Sequence, residues 1–154
     1  MQLVETVGLS YTQRFAIMEL WNKEYPEQIC YKTLADFDSY LAGLNDKSHY
    51  LLMDEQDSIK GWGLLFERAG ESWFAIILHS SAQHKGYGTI MLDALKSKAE
   101  HLAGWVTDHN NYTTASGAVY SSPLKFYLKN GFSICPDIRL ETGKLSAVKV
   151  VWSR

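Results

Sequence analysis

The sequence predicts an α+β fold built on one mixed, mostly antiparallel central sheet with about four helices. Three observations carry this prediction. Apolar segments in the middle of the chain follow one another through short polar turns, helical periodicity flanks them on both sides, and a glycine-containing loop separates the last of them from a helix. Short connections favour antiparallel neighbours, whereas a strand–helix–strand unit gives a parallel pair. We therefore expect an antiparallel meander followed by one crossover.

The N-terminal part of the chain contains one predicted strand and two predicted helices. Residues 2–6 read as a strand. Ser10 and Gln13 form a capping-box pattern at the start of the first helix, which Pro26 ends, and Thr33 caps the second helix. The apolar positions predicted to be buried are Phe15, Met18, Trp21 and Tyr25 in the first helix and Leu34, Phe37, Leu41 and Leu44 in the second.

The rest of the chain reads as three strands, a long helix, a strand, a short helix and two strands. The third strand of the meander should lie in the middle of the sheet, because residues 73–78 are apolar on both faces. Gly104 is expected to close the long helix. Ser122, Pro123 and Gly131 mark the start and the end of the short one. The predicted ranges are 49–54, 60–68, 72–79, 90–103, 104–108, 121–132, 132–142 and 145–152.

Composition excludes several classes of protein. The 154 residues are expected to form a single domain, 1–154, and 46% apolar residues suit a packed core. Fifteen basic and 17 acidic residues give a net charge of −2, so nothing draws the chain to nucleic acid or to an anionic membrane. No apolar run approaches the roughly 20 residues of a membrane span. Without a signal-peptide pattern, and with Cys30 and Cys135 expected to be reduced, we expect a cytoplasmic protein.

The loop after the meander contains two glycines one residue apart. Residues 83–88 read Gln-His-Lys-Gly-Tyr-Gly, which is not a P-loop, and Met91 stands where a dinucleotide fingerprint needs its third glycine. A plain turn would explain both glycines. Alternatively, main-chain N–H groups at the helix N-terminus bind an anion such as a pyrophosphate, and Lys85 adds a positive charge.

Two motifs in order resemble the GNAT superfamily of N-acetyltransferases. Residues 83–88 match its Gln/Arg-x-x-Gly-x-Gly/Ala signature, with Lys85 where Arg is more usual, and residues 126–132 match a helix that ends in Phe/Leu-Tyr-x-x-x-Gly-Phe. The order of elements is similar over nearly the whole chain. The resemblance implies a GNAT-like acyltransferase fold. It also implies transfer of an acetyl group from acetyl-CoA, the cosubstrate, to a primary amine by direct transfer in a ternary complex.

The resemblance also implies which residues bind the cosubstrate. In the family, the pyrophosphate rests on the amides of the glycine loop, where a side chain at either glycine would push it away. The pantetheine arm pairs with the end of the fourth strand, which splays from the fifth. Carried over to this chain, the binding residues are Leu78, His79, Ser80, Gln83, His84, Lys85, Gly86, Tyr87, Gly88 and Thr89.

Tyr127 matches the general acid of the family. A phenol with a pKa near 10 can donate a proton to the leaving sulfur. Aromatic packing of Phe126 and Tyr127 is the structural alternative, and for His79 packing is set against a catalytic role. The general base is left open between Asp108, His109, Glu67, Glu71 and a water chain. The histidines show no metal-binding pattern, so no metal is expected.

One region departs from the family pattern. The segment 107–122 is longer than usual and is either a functional loop or a surface excursion. Tyr120 and Pro123 stand where relatives carry Asn and Ala; Asn110, Asn111 or Ser122 could replace that Asn. In the segment 25–33, Tyr25 and Tyr31 either line an acceptor site or pack in the core.

Two other functions compete with the transferase. A non-catalytic acyl-CoA-binding sensor or interaction module on the same fold would keep the glycine loop but show no acceptor-dependent turnover. A role directed at RNA is disfavoured by the acidic balance. The acceptor is left open between a small amine, an amino acid, an aminoglycoside-like compound, a peptide N-terminus and a lysine side chain, and a homodimer is compatible with the sequence.

Overall fold

A computed structural model describes residues 1–154. Its seven strands form one sheet in the order β1-β2-β3-β4-β5-β7-β6, in which only β4 and β5 are parallel. The α+β class, the order of elements and the central position of β4 are confirmed. The elements are β1 Gln2–Thr6, α1 Tyr11–Glu24, α2 Leu34–Ala42, β2 Asn45–Met53, β3 Ile59–Arg68, β4 Glu71–Leu78, α3 Tyr87–Lys96, β5 His101–Val106, α4 Leu124–Lys129, β6 Ser133–Glu141 and β7 Ser146–Ser153, with short 3-10 turns at Glu27–Ile29 and Ser80–Ala82.

Helices cover both faces of the sheet, and each face has its own apolar core. The capping box of Ser10 and Gln13 is present at α1. The buried stripe of α1 differs from the predicted one: Phe15 is 41% exposed, because Ile17 and Leu20 face the sheet instead. Core side chains are Ile17, Met18, Leu20, Trp21, Phe37, Leu41, Trp62 and Ile77 with α1 and α2, and Tyr50, Phe74, Leu92, Leu95, Leu102, Phe132 and Val150 with α3 and α4.

The long helix predicted over 90–103 is wrong at its C-terminal end. Helix α3 stops at Lys96, and β5 takes over at His101, because all six β5 residues pair with β7. Strand pairing outweighs the helix propensity of the intervening residues. Gly104 therefore closes no helix. A Cβ atom there would lie 2.8 Å from the ring of Phe74, so glycine lets that ring pack against β5.

Helix α4 is shorter than predicted. Pro123 occupies the N-cap rather than the first helical position, and Ser122 Oγ accepts the N–H of Leu124 at 3.2 Å. Gly131, with φ of +89°, ends the turn after the helix.

Several global properties bear on function. None of the helices has the length and apolar character needed to cross a membrane. Cys30 and Cys135 are both free and half-buried. No three His, Cys, Asp or Glu side chains come together in an arrangement that could hold a metal ion.

Candidate active site

The strands β4 and β5 separate at the centre of the sheet. They share one register pair, Trp73 with Ala103, and no further pair toward their C-terminal ends. Residues 75–78 of β4 therefore have β3 on one side and no strand on the other. This open edge is the wedge that a GNAT-like arrangement requires.

Two residues of β4 turn their main-chain groups toward this wedge. The N–H of His79 donates to Lys60 O at 2.8 Å, on the β3 side. Because hydrogen-bonded and non-hydrogen-bonded pairs alternate in an antiparallel ladder, Ile76 and Leu78 face the opposite side. An extended ligand in the wedge would meet their N–H and C=O groups.

The loop after β4 presents a row of uncommitted donors. The main-chain N–H groups of residues 84–89 donate no hydrogen bond within the protein, whereas Gln83 before them bonds to Ser80 O and Ile90 after them to Gly86 O. The first N–H groups of any helix lack partners, and two loop amides extend the row here. The Gln83 side chain donates to Leu78 O at 3.0 Å and ties the loop to β4.

The two glycines of this loop are required for different reasons. Gly86 has φ of +86° and caps α3 in a left-handed conformation, with open space where a Cβ atom would lie. His84 is also left-handed, with φ of +61°, so the chain curls around the exposed amides. At Gly88, a Cβ atom would lie 3.1 Å from Phe126 Cζ. The structure thus adds side-chain packing to the predicted need for ligand space.

Tyr127 lies in the α3–α4 core with its hydroxyl uncommitted. The residue is 6% exposed, and its ring packs 5.5 Å from Phe74 and 5.4 Å from Phe132. The hydroxyl has no protein partner, yet it is not sealed in, because Trp73 Nε1 is the only fully buried side-chain nitrogen or oxygen without one. Burial, with a smaller contribution from Tyr120, raises the pKa of Tyr127 well above the usual phenol value.

Three tyrosines from separate segments meet at this position. Tyr25 and Tyr120 pack edge to face with ring centroids 6.3 Å apart. Burial raises the pKa of Tyr25 well above its usual range, and the nearby Tyr120 and Tyr127 add to the shift. Burial also raises the pKa of Tyr120 to about 12. All three phenols are therefore neutral at physiological pH. Tyr120, in the family's Asn position, lines the same space as Tyr127.

Comparison with known families identifies the family to which a chain with this geometry belongs. Residues 46–134 match the family described as the acetyltransferase (GNAT) domain, a span that includes the glycine loop and α4. The chain belongs to the GNAT acetyltransferase family. A search of curated protein sequences found no significant match.

Solved structures share the GNAT fold at low sequence identity. An aminoglycoside 6'-N-acetyltransferase complexed with coenzyme A is similar with a TM-score of 0.74 at 12% identity, covering 99% of this chain and 97% of that one. The aminoglycoside 6'-N-acetyltransferase from Enterococcus faecium has a TM-score of 0.71 at 12% identity, with coverage of 99% and 97%. A GNAT superfamily phosphinothricin acetyltransferase from Sinorhizobium meliloti, in complex with AcCoA, has a TM-score of 0.67 at 12% identity, with coverage of 99% and 89%. These likenesses establish the fold.

The GNAT resemblance assigned pantetheine pairing to residues 78–80, and two of these are already engaged. The N–H of His79 is bonded to β3, and the N–H of Ser80 donates to Glu24 Oε2 at 2.9 Å. Both ring nitrogens of His79 have partners, Nε2 with Lys23 Nζ and Nδ1 with Ser81, each at 2.8 Å. The N–H of Leu78 faces the wedge, as does the main chain of Ile76, and the C=O of Leu78 already accepts one hydrogen bond from the Gln83 side chain.

The carboxylates named as possible general bases of this GNAT protein are all engaged elsewhere. Asp108 accepts two hydrogen bonds from Arg139, at 2.8 and 3.1 Å, which hold its pKa below the usual range. Glu71 binds Lys149 and His101, and the Lys149 contact is the first cause of its lowered pKa.

Distance also argues against two of these bases. Glu71 is the first residue of β4, and Glu67 lies beside it because it accepts a hydrogen bond from Ser72 Oγ at 2.6 Å. The glycine loop follows the other end of β4, so the strand, about 20 Å long, separates both carboxylates from the loop. His109 Nδ1 accepts the N–H of Asn111 at 3.1 Å. Each of these groups therefore lies far from the wedge or already has a hydrogen-bond partner.

The long segment 107–122 is an ordered hairpin. Thr113 pairs with Val119, and Thr113 O accepts the N–H of Glu27 at 2.9 Å, which links the hairpin to the α1–α2 connection. On the other side, Tyr112 Oη accepts the N–H of Ser146 at 2.8 Å. Asn110 bonds to the N–H of Ser122 and so supports the start of α4. The hairpin holds Tyr120 against Tyr25, whereas Tyr31 packs in the core.

Sequence reasoning did not single out Glu24, and it gave aromatic packing of Phe126 as an alternative without naming Gly88 as the contact. A carboxylate at the last residue of a helix opposes the helix macrodipole. Glu24 stands at that position of α1, and this unfavourable placement was the available signal. The contact of Phe126 with Gly88 joins α4 to α3 and had no signal in the local pattern.

Proposed function

We propose that this GNAT protein transfers the acetyl group of acetyl-CoA to a primary amine by direct transfer in a ternary complex. The observation that carries the proposal is the row of six uncommitted N–H groups at 84–89 beside the open edge of β4. An anionic and an extended group are thus accommodated side by side, as one CoA molecule would need. Two acetyltransferases of similar fold, one complexed with coenzyme A and one in complex with AcCoA, support this assignment.

The residues divide the binding of acetyl-CoA between them. The pyrophosphate would rest on the amides of 84–89, with the exposed Lys85 adding charge, and Gln83 would hold the loop in place. The pantetheine amides would pair with Ile76 and Leu78. His79 and Ser80 would fix the strand end through their own bonds rather than contact the ligand.

Tyr127 is assigned the role of general acid. Bound acetyl-CoA would supply the activated thioester. When the amine attacks, negative charge develops on the sulfur, and the Tyr127 hydroxyl would donate its proton there. Its lack of a protein partner leaves this proton available, and its raised pKa keeps it in place until the reaction needs it.

Glu24 is assigned the role of general base. Ser80 N–H holds one carboxylate oxygen, Oε2, and Oε1 has no partner in the protein. Glu24 lies next to Tyr25, whose ring packs against Tyr120 at the acceptor side. A carboxylate held in this way can take a proton from the incoming ammonium, directly or through water.

The test is acetyl-CoA titration by calorimetry followed by a panel of primary amines, with release of the CoA thiol as the readout. Saturable binding with amine-dependent thiol release supports the proposal. Binding without release for any amine would favour the acyl-CoA sensor. Glu24→Gln should lower kcat about a hundredfold while acetyl-CoA affinity holds. An unchanged kcat would remove Glu24 from the mechanism. Cytoplasmic location and a homodimer stay predictions.

A further inference from the structure

A second depression lies at the opposite end of α1 from Glu24. Its volume is about 320 Å³, and its walls include Leu9, Arg14, Asp38, Leu41, Lys47 and His49. We call it the α1 N-terminal groove. Helix α1 has 14 residues and spans roughly 20 Å, so the groove is distinct from the candidate active site.

His49 contributes an unmatched donor to the α1 N-terminal groove. The residue is 2% exposed, and its Nδ1 accepts the N–H of Trp62 at 3.0 Å. Since the indole can only donate, the proton of the neutral imidazole lies on Nε2. Burial, with a smaller effect of Lys47, lowers the pKa of His49 to about 4, so the ring is neutral at physiological pH. Nε2 has no acceptor in the protein and, unlike Trp73 Nε1, it is not sealed from solvent, so a ligand in the groove can reach this donor.

Two cationic side chains, Arg14 and Lys47, line the groove with His49, and both have N–H groups without a protein acceptor. Arg14 donates through Nε to Asp38 at 2.9 Å and through Nη1 to Leu9 O at 2.9 Å, which leaves Nη2 free. Lys47 Nζ donates to Leu44 O at 3.3 Å and keeps its other hydrogens. The only carboxylate of the lining, Asp38, is engaged by Arg14. The groove therefore carries one net positive charge.

We propose that the α1 N-terminal groove binds a small aliphatic monocarboxylate. Its oxygens would accept from His49 Nε2, Arg14 Nη2 and Lys47 Nζ, and its hydrocarbon part would lie on Leu9 and Leu41. One net positive charge matches a monoanion better than a phosphate dianion. The apolar wall adds affinity for a chain that inorganic phosphate lacks. The bound carboxylate also satisfies the His49 donor.

The test is NMR of the full chain with ¹⁵N-labelled histidine, titrated with hexanoate at neutral pH. We expect the His49 Nε2 resonance to shift saturably. Lys47→Gln should weaken hexanoate binding about five- to tenfold, the worth of one charged hydrogen bond. Lys144→Gln, an exposed lysine in the β6–β7 turn, should leave the affinity unchanged.

Several outcomes would overturn the proposal. They are no shift of His49 at the solubility limit of hexanoate, equal affinity for hexylammonium, tighter binding of inorganic phosphate than of hexanoate, or equal effects of the two lysine variants. Acetyl-CoA should not compete with hexanoate. The Gly88→Glu variant should bind hexanoate normally, so failure here and failure of the acetyltransferase proposal are distinguishable.

Discussion

The two ends of β4 differ in how completely their polar groups are satisfied. At the N-terminal end, Glu71 binds Lys149 and His101, and Glu67 accepts from Ser72. At the C-terminal end, six N–H groups at 84–89 have no protein partner. Paired polar groups are committed to the fold, whereas donors without a protein partner stay available to a ligand. The contrast separates an end of the strand whose polar side chains are paired from an end whose main-chain donors are open to a ligand.

This difference teaches that residue type alone is a poor guide to catalysis. The acidic residues at the N-terminal end have the chemistry of general bases, but each is held by a cation or a hydroxyl. In the proposed function, the C-terminal end acts through main-chain N–H groups, the Tyr127 hydroxyl and the Glu24 carboxylate, whose Oε1 has no protein partner. Four experiments test this contrast, beginning with the largest expected effect.

Gly88→Glu should abolish measurable acetyl-CoA binding. The new Cβ atom would lie 3.1 Å from Phe126 Cζ, and the carboxylate would stand beside the amides of 84–89. We expect a loss of about a hundredfold or more, since like charges brought together cost several kcal/mol. Calorimetry measures it. Gly143→Glu is the matched control, because a Cβ atom there meets nothing within 4 Å. Equal affinities of the two variants would show that the loop binds no anion.

Tyr127→Phe should lower kcat about a hundredfold, within the usual range for loss of a general acid. The KM for acetyl-CoA should change little, because the ring packing is retained. Steady-state kinetics with the best amine of the panel measures both. Tyr50→Phe is the control: Tyr50 lies in the same core but bonds to Glu5 at 3.5 Å, away from the wedge. If both variants lose activity equally, the acid role of Tyr127 is refuted.

Glu71→Gln should leave kcat unchanged and lower the free energy of unfolding by about 1 kcal/mol, through weakened contacts with Lys149 and His101. Urea unfolding measures it. Because these contacts lower the pKa of Glu71, the stabilisation is present above the ordinary glutamate pKa and is lost as pH falls through the lowered value. The difference between the two proteins should therefore vanish in acid. A loss of kcat in a folded variant would indicate that the N-terminal end of β4 takes part in catalysis and would contradict the proposed site.

The pH profile of kcat tests the assignment of Tyr127 at the C-terminal end of β4, and it should give the smallest effect of the four experiments. Burial raises the pKa of Tyr127, so its proton stays bound above the ordinary phenol value. We expect kcat to rise with deprotonation of the amine and to show no decline up to about pH 10. A fall on the alkaline side well below this limit would mean that another group, or a Tyr127 without a raised pKa, supplies the proton.

The row of free main-chain donors at the C-terminal end of β4 was predictable because its residues are neighbours in the sequence. Residues 83–88 lie together in sequence, and their glycines and the following helix define a row of main-chain donors. The general bases were not predictable, because their availability depends on distant partners. Arg139 neutralises Asp108 from 31 residues away. The contact of Tyr25 with Tyr120 depends on the hairpin 107–122, and no periodicity in the sequence predicts that hairpin.

The boundary between α3 and β5 was missed for the same reason. Residues 97–103 have the composition of a helix, and only pairing with β7, near the C-terminus of the chain, makes the segment from His101 a strand. Local propensity is a weak guide where a distant strand can supply six paired residues.

Gly104 has a consequence for how this protein could change its activity by mutation. It lies under the ring of Phe74, and the same ring packs against Tyr127. A single added methyl group at 104 would displace the aromatic ring that packs against the Tyr127 phenol. A substitution at residue 104 would therefore alter the surroundings of Tyr127 without changing any residue of the wedge. A mutational library confined to the wedge would overlook it.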